Sequence, residues 1–191
     1  MILNVFTDGG GGLSSTYGDC AAAYVVETSE SLYLGSRSVC LVGTNNDAEY
    51  MGVLSALRDM KAGEWAPLPE IEKVYFMSDS MLIVNQINGE WRCKDQGLRV
   101  HLEEIRAILA ALPFPISFGW RKRIFNTDAD LLCAAAVAAG SPKTVFTDPI
   151  PRDPRKKKGK SHARSKPIID LARALEHREQ GLSGPVAVEL L

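Results

Sequence analysis

Within the first 43 residues, three β-branched, apolar segments follow one another with short polar gaps and no helical stretch between them. "MILNVFTD" reads as a strand ending near Asp8, and "CAAAYVVETS" and "SLYLGSRSVCLVG" as two more, parted by the polar "ETSES". Connections this short join antiparallel neighbours, so the chain opens as a three-stranded meander. The hydrophobic period then changes. In "TNNDAEYMGVLSALRDMKAG", residues Ala48, Met51, Leu54, Ser55, Leu57 and Met60 trace one face of a helix, with Thr44 or Asn45 to cap it and Gly63 to end it.

From there the pattern alternates. "KVYFMSD" predicts a fourth strand closing on Asp79, "SMLIVNQING" a short helix, and "KDQGLRVHLEEIRAILAAL" a longer amphipathic helix stopped by Pro113. "PISFGWRKR" predicts a fifth strand and "NTDADLLCAAAVAAG" a helix of small residues ending at Gly140. Hairpins first and crossovers afterwards imply an α/β fold, a mixed five-stranded sheet flanked by helices.

After Gly140 the composition shifts. "SPKTVFTDPIPRDPRKKKGKSHARSKP" holds five prolines and a dense basic run, which cannot bury enough surface to fold alone. Residues 141–167 are therefore expected to be a flexible linker between a folded unit over 1–140 and a terminal segment, 168–191. That segment begins as an amphipathic helix with Ile168, Ile169, Leu171 and Leu175 on its apolar side. The formal net charge of −1 hides this division. Eleven of the 22 basic and six of the 23 acidic residues lie in 141–191, which leaves eleven basic against seventeen acidic residues in the body. If such a body handles a polyanion, metal ions are the natural means of offsetting its carboxylates.

No apolar run approaches the roughly 20 residues that span a bilayer. The first residues are strand-like, with no basic region followed by an apolar block, so no signal peptide is expected and the cytoplasm is the expected location. Cys20, Cys40, Cys93 and Cys133 lie far apart with no C-x-x-C pair, which suits buried thiols in a reducing interior better than zinc or disulfides. His101, His162 and His177 are scattered and form no ligand set.

Three acids stand where a site would want them. Asp8 ends the first strand, Asp79 ends the fourth, and Glu49 lies one turn into the first long helix. Ligands of open sheets gather beyond strand ends at a switch point. If strands one and four are neighbours, Asp8 and Asp79 come within a few ångströms, which is costly unless a cation or proton intervenes. Taken singly, an Asp after a strand is a turn former and a Glu in a first helical turn a solvated partner of the dipole. Neither explains all three.

"FTDGG", "TNNDAEY", "SDSMLIVNQINGEW" and "RIFNTDADLL" together resemble type 1 ribonuclease H, in particular its short archaeal-like branch. The resemblance covers about residues 1–140. It implies a ribonuclease-H-like fold and a four-carboxylate site of Asp8, Glu49, Asp79 and Asp130 that holds two Mg²⁺ ions, with Mn²⁺ a possible substitute. Asp8 would bridge the ions. Asp128 competes with Asp130 for the fourth place, but two residues on a helix differ by about 200° of rotation, so both cannot face the same ions. The implied reaction is endonucleolytic cleavage of the RNA strand of RNA–DNA hybrids, leaving 5′-phosphate and 3′-hydroxyl ends. Gly9 and Gly10 would let the backbone approach the hybrid, and Asn46, Asn85 and Gln86 resemble hybrid-contacting positions. The resemblance also implies substrate-binding roles for Arg123, which falls where the archaeal-like branch tends to have arginine, and for Asn126 of the same segment; no histidine precedes the last helix.

Trp91, Arg92 and Lys94 have two readings, contact with the DNA strand or a lid over the core. The basic tail would touch nucleic acid or a protein partner, and a monomer is expected. Two competing readings remain. Related 3′–5′ exonucleases place a glutamate two residues after the first aspartate, where this chain has Gly10. A silent nucleic-acid-binding or assembly scaffold would have no reason to keep mutually repelling acids.

Overall fold

The computed structural model of the protein describes residues 1–11, 18–140 and 144–145. The chain runs β1 (Ile2–Gly10), β2 (Gly18–Thr28), β3 (Tyr33–Gly43), α1 (Asn45–Ala62), β4 (Lys73–Ser78), α2 (Met81–Ile87), α3 (Gln96–Ala111), β5 (Ile116–Trp120), α4 (Thr127–Ala139) and β6 (Thr144–Val145). The sheet order is β5-β4-β1-β2-β3-β6. β1, β2 and β3 pair antiparallel, as the short gaps dictate, whereas β4 lies parallel to β1 and β5 parallel to β4. The expected five-stranded mixed sheet is therefore present. Thr144–Val145 add a two-residue parallel edge beside Leu41–Val42, inside the stretch the composition assigns to a linker. The expected terminal helix and the basic run lie outside the described residues.

Pleating separates the faces of β2. Ala22, Tyr24 and Val26 join Leu3, Val5, Leu54, Leu57, Phe76 and Ile105 in the main core, which takes in α1, α2 and α3. Ala21 faces the other way and meets Cys40 and Ala136 of α4. Residues this small let α4 lie close to the sheet.

α1 starts at a capping box. The Thr44 hydroxyl accepts from the Asp47 backbone N–H at 3.2 Å, and the Asp47 carboxylate accepts from the Thr44 N–H at 2.7 Å. It ends at Gly63 in the left-handed conformation, φ 78°. In α3, Leu98, His101, Leu102, Ile105 and Ile108 form the buried stripe, and the Asp95 carboxylate caps the helix by accepting from the Leu98 N–H.

Candidate active site

The parallel pairing of β1 and β4 fixes where the acids fall. Their ladder runs to Thr7 opposite Ser78, so Asp8 and Asp79 come next, side by side. Asp8 lies within β1 rather than at its tip, because pairing with β2 continues through Gly9 and Gly10. Asp79 follows the last residue of β4, and the Trp120 indole N–H donates to its backbone carbonyl at 2.9 Å.

Glu49 reaches the same point because α1 presses on β1. A Cβ on Gly9 would lie 2.1 Å from the Glu49 nitrogen, and one on Gly52 would lie 2.8 Å from the Asp8 carbonyl oxygen. Both contacts are with backbone, which cannot swing aside. Two glycines thus set the helix against the strand and carry Glu49 to Asp8. Carboxylate oxygens of Asp8, Glu49 and Asp79 all lie within 4.8 Å of one another, the arrangement of an oxygen-ligand metal centre.

Such a cluster is electrostatically unfavourable alone. Asp8 is only 3 % exposed, and burial, reinforced by the charges of Asp79 and Asp130, pushes its carboxyl up to about 6. Burial raises Glu49 well above the usual carboxylate range, with Asp8 and Asp79 adding to it. The Arg123 guanidinium and the Gly9 backbone N–H act in the opposite direction on both groups without cancelling the effect. Hard oxygen donors carrying an uncompensated negative charge fit a divalent cation.

The other expected residues take varied places. Asp130 does not join the 4.8 Å group; its carboxylate accepts from the Arg123 guanidinium, while its charge is still felt at Asp8. Asp128 is exposed in the first turn of α4. Asn46 is exposed, and Gly10 has open space where a Cβ would stand. Asn85 and Gln86 are buried on α2, and the Tyr50 hydroxyl donates to Gln86 Oε1 at 2.7 Å. Asn126 is almost fully buried, its amide donating to the Thr7 carbonyl at 2.9 Å and to Asp79 Oδ1 at 3.3 Å. Trp91 is half-buried, with Arg92 and Lys94 exposed around it.

Gly52 and Trp120 also shape the site and went unremarked in the sequence, and Cys133 was read there only as a buried thiol. The Cys133 thiol donates to the Asp8 carbonyl at 3.4 Å, tying α4 to β1. Gly52 carried a signal: a glycine inside a helix costs about 1 kcal/mol against alanine, which points to a close approach.

The sequence profile of the reverse transcriptase-like family matches residues 7–136. The chain belongs to that family. It is 31% identical over 150 residues to the "Bifunctional protein Rv2228c" of Mycobacterium tuberculosis, a match covering 77% of this chain and 39% of that protein. It is 29% identical over 87 residues to the "Uncharacterized protein YpeP" of Bacillus subtilis, covering 46% of this chain and 37% of that one. The chain thus spans under two fifths of the curated relatives it matches.

Among solved structures, the N-terminal RNase H domain of Rv2228c superposes with a TM-score of 0.64 at 27% identity, covering 73% of this chain and 96% of that one. LC11-RNase H1, solved in complex with an RNA/DNA hybrid, gives 0.64 at 25% identity, covering 72% and 98%. RNase H1 of the archaeon Halobacterium salinarum shares the fold, with 0.64 at 22% identity over 73% and 99%. The architecture of this reverse transcriptase-like chain is the type 1 ribonuclease H fold, as its motifs implied.

Proposed function

We propose that the protein is a metal-dependent endoribonuclease that hydrolyses the RNA strand of RNA–DNA hybrids, leaving 5′-phosphate and 3′-hydroxyl ends. The observation that carries this reading is the convergence of Asp8 from within β1, Asp79 from the end of β4 and Glu49 from α1 onto one point. The likeness to RNase H1 structures, one of them solved with a hybrid, supports it.

Asp8, Glu49 and Asp79 would hold divalent cations, with Asp130 the fourth acid once released from Arg123. Two Mg²⁺ ions, or Mn²⁺ in their place, would supply activation of water and neutralisation of charge at the scissile phosphate. The chain's own residues do the rest. Asp8, held by β1 and its two neighbours, fixes the centre of the site. Arg123, largely exposed, offers positive charge where the phosphate backbone would arrive. Gly10 and the exposed Asn46 flank the acids and would meet the 2′-hydroxyls that distinguish RNA from DNA.

Residues 1–140 would form the catalytic unit, and the basic run beyond them a salt-sensitive tether to nucleic acid. Among the described residues no helix is long and apolar enough to cross a membrane. The experiment is Mg²⁺-dependent cleavage of a labelled hybrid beside single-stranded RNA, duplex RNA and duplex DNA. Internal cuts confined to the RNA of the hybrid are expected. Binding without cutting would favour a silent scaffold, and trimming from an end would favour an exonuclease.

A further inference from the structure

We infer that Asn126 is a positioning residue, a clip that holds Asp8 and Asp79 together at the point where the sheet stops doing so. The inference rests on the metal-centre reading of that cluster. The β1–β4 ladder reaches Thr7 and Ser78 and no further, so it does not hold the Asp8–Asp79 pair beyond it, whose like charges push apart. Asn126 stands across this gap. Its Nδ2 donates to the Thr7 carbonyl, one residue before Asp8, and to Asp79 Oδ1 on the other strand.

The orientation of the amide follows from these partners. Turned over, it would set its oxygen against two acceptors. In the observed orientation Oδ1 is buried with no hydrogen-bond partner, so an unsatisfied acceptor, ordinarily costly, is tolerated there.

The amide is itself held firmly. The Asn126 backbone N–H donates to the Arg123 carbonyl at 2.9 Å, and its own carbonyl accepts from the Asp130 N–H at 3.1 Å. Asn126 also stands at the start of α4, yet its side chain makes no capping bond there. A residue type suited to capping has been turned away from the helix and toward the acids. With Trp120 fixing the Asp79 carbonyl, both the backbone and the carboxylate of Asp79 are oriented from outside its own strand. Asn126 is almost wholly buried, so it acts through the acids rather than on a substrate.

The test is Mn²⁺ titration by calorimetry on the full chain and on Asn126→Ala and Asn126→Ser, with hybrid affinity measured separately in EDTA. Serine caps a helix as well as asparagine but is too short to span both acceptors. Outer residues that orient metal ligands typically carry 10–100-fold in metal affinity, and a loss of about tenfold or more is expected in both variants with hybrid affinity unchanged. Wild-type metal affinity in Asn126→Ser alone would make Asn126 a helix cap and overturn the inference. Unchanged metal affinity in both, with weaker hybrid binding, would make it a substrate contact and overturn it equally. Failure of the parent protein to bind Mn²⁺ would instead remove the metal-centre reading itself.

Discussion

Glu49 and Asp59 lie on the same helix, ten residues apart, and the fold treats them in opposite ways. Asp59 is fully matched. The Tyr24 hydroxyl donates to Oδ2 at 2.5 Å, and the Arg37 guanidinium donates to Oδ1 and Oδ2 at 2.8 and 2.9 Å. Trp65 completes the network by donating to the Tyr24 hydroxyl at 3.3 Å. Glu49, at the other end, meets two more carboxylates and only the partial relief of Arg123 and the Gly9 N–H. The same chain can surround an acid with donors and does so where the acid serves packing. Where it leaves acids facing one another, the proposed metal ions would supply the missing charge.

The contrast can be broken first by activity. Asp8→Asn should retain the fold by circular dichroism and lose hybrid cleavage by about three orders of magnitude or more, the several kcal/mol a metal site supplies. Asp59→Asn should cleave within about twofold of the parent. Near-normal turnover in Asp8→Asn would end the assignment.

The next largest effect is steric. Gly9→Ala drives a Cβ into the α1 backbone at Glu49, so urea unfolding should show a loss of about 3 kcal/mol or more, with the m-value unchanged.

The acids should also leave a mark on the pH dependence of stability. The folded pKa of Asp8, about 6, exceeds the ordinary 3.8, so the folded state holds this proton more tightly than the unfolded state. Below about pH 4 both states are protonated and the site costs nothing. As pH rises from 4 to 6 stability falls, by about 3 kcal/mol at most for a shift of this size. Chemical denaturation without metal should therefore show a less stable protein at pH 7 than at pH 5. Asp8→Asn should flatten that slope, and Mg²⁺ at pH 7 should restore stability through binding to the folded state. A slope that is identical in Asp8→Asn would refute the electrostatic part of the account.

At the matched end the effects are smaller. Asp59→Ala strands the Tyr24 hydroxyl and should cost about 2 kcal/mol in thermal unfolding. Arg37→Ala removes a partner whose side chain is 57% exposed and should cost only about 0.5 kcal/mol.

Much of this was legible in the sequence. The meander followed by crossovers could be read from the change in hydrophobic period, and the adjacency of Asp8 and Asp79 followed once β1 and β4 were neighbours. The approach of Glu49 was suggested by the motif, but its cause, Gly9 and Gly52 removing two side chains between helix and strand, is a contact between distant segments that no local pattern displays. The pairing of Asp130 with Arg123 was hidden for a similar reason, since it depends on how the turn at Arg123–Phe125 folds back on α4. In the sequence Asn85 and Gln86 resemble hybrid-contacting positions, and burial of α2 against the core placed them inside. Asn126 belonged to a recognisable segment, yet its side chain's turn from helix capping to the acids is a tertiary choice.

The most direct test is anomalous diffraction from a crystal soaked in Mn²⁺. The account predicts manganese bounded by carboxylate oxygens of Asp8, Glu49 and Asp79. Saturating Mn²⁺ that leaves those three oxygens without a metal would contradict it.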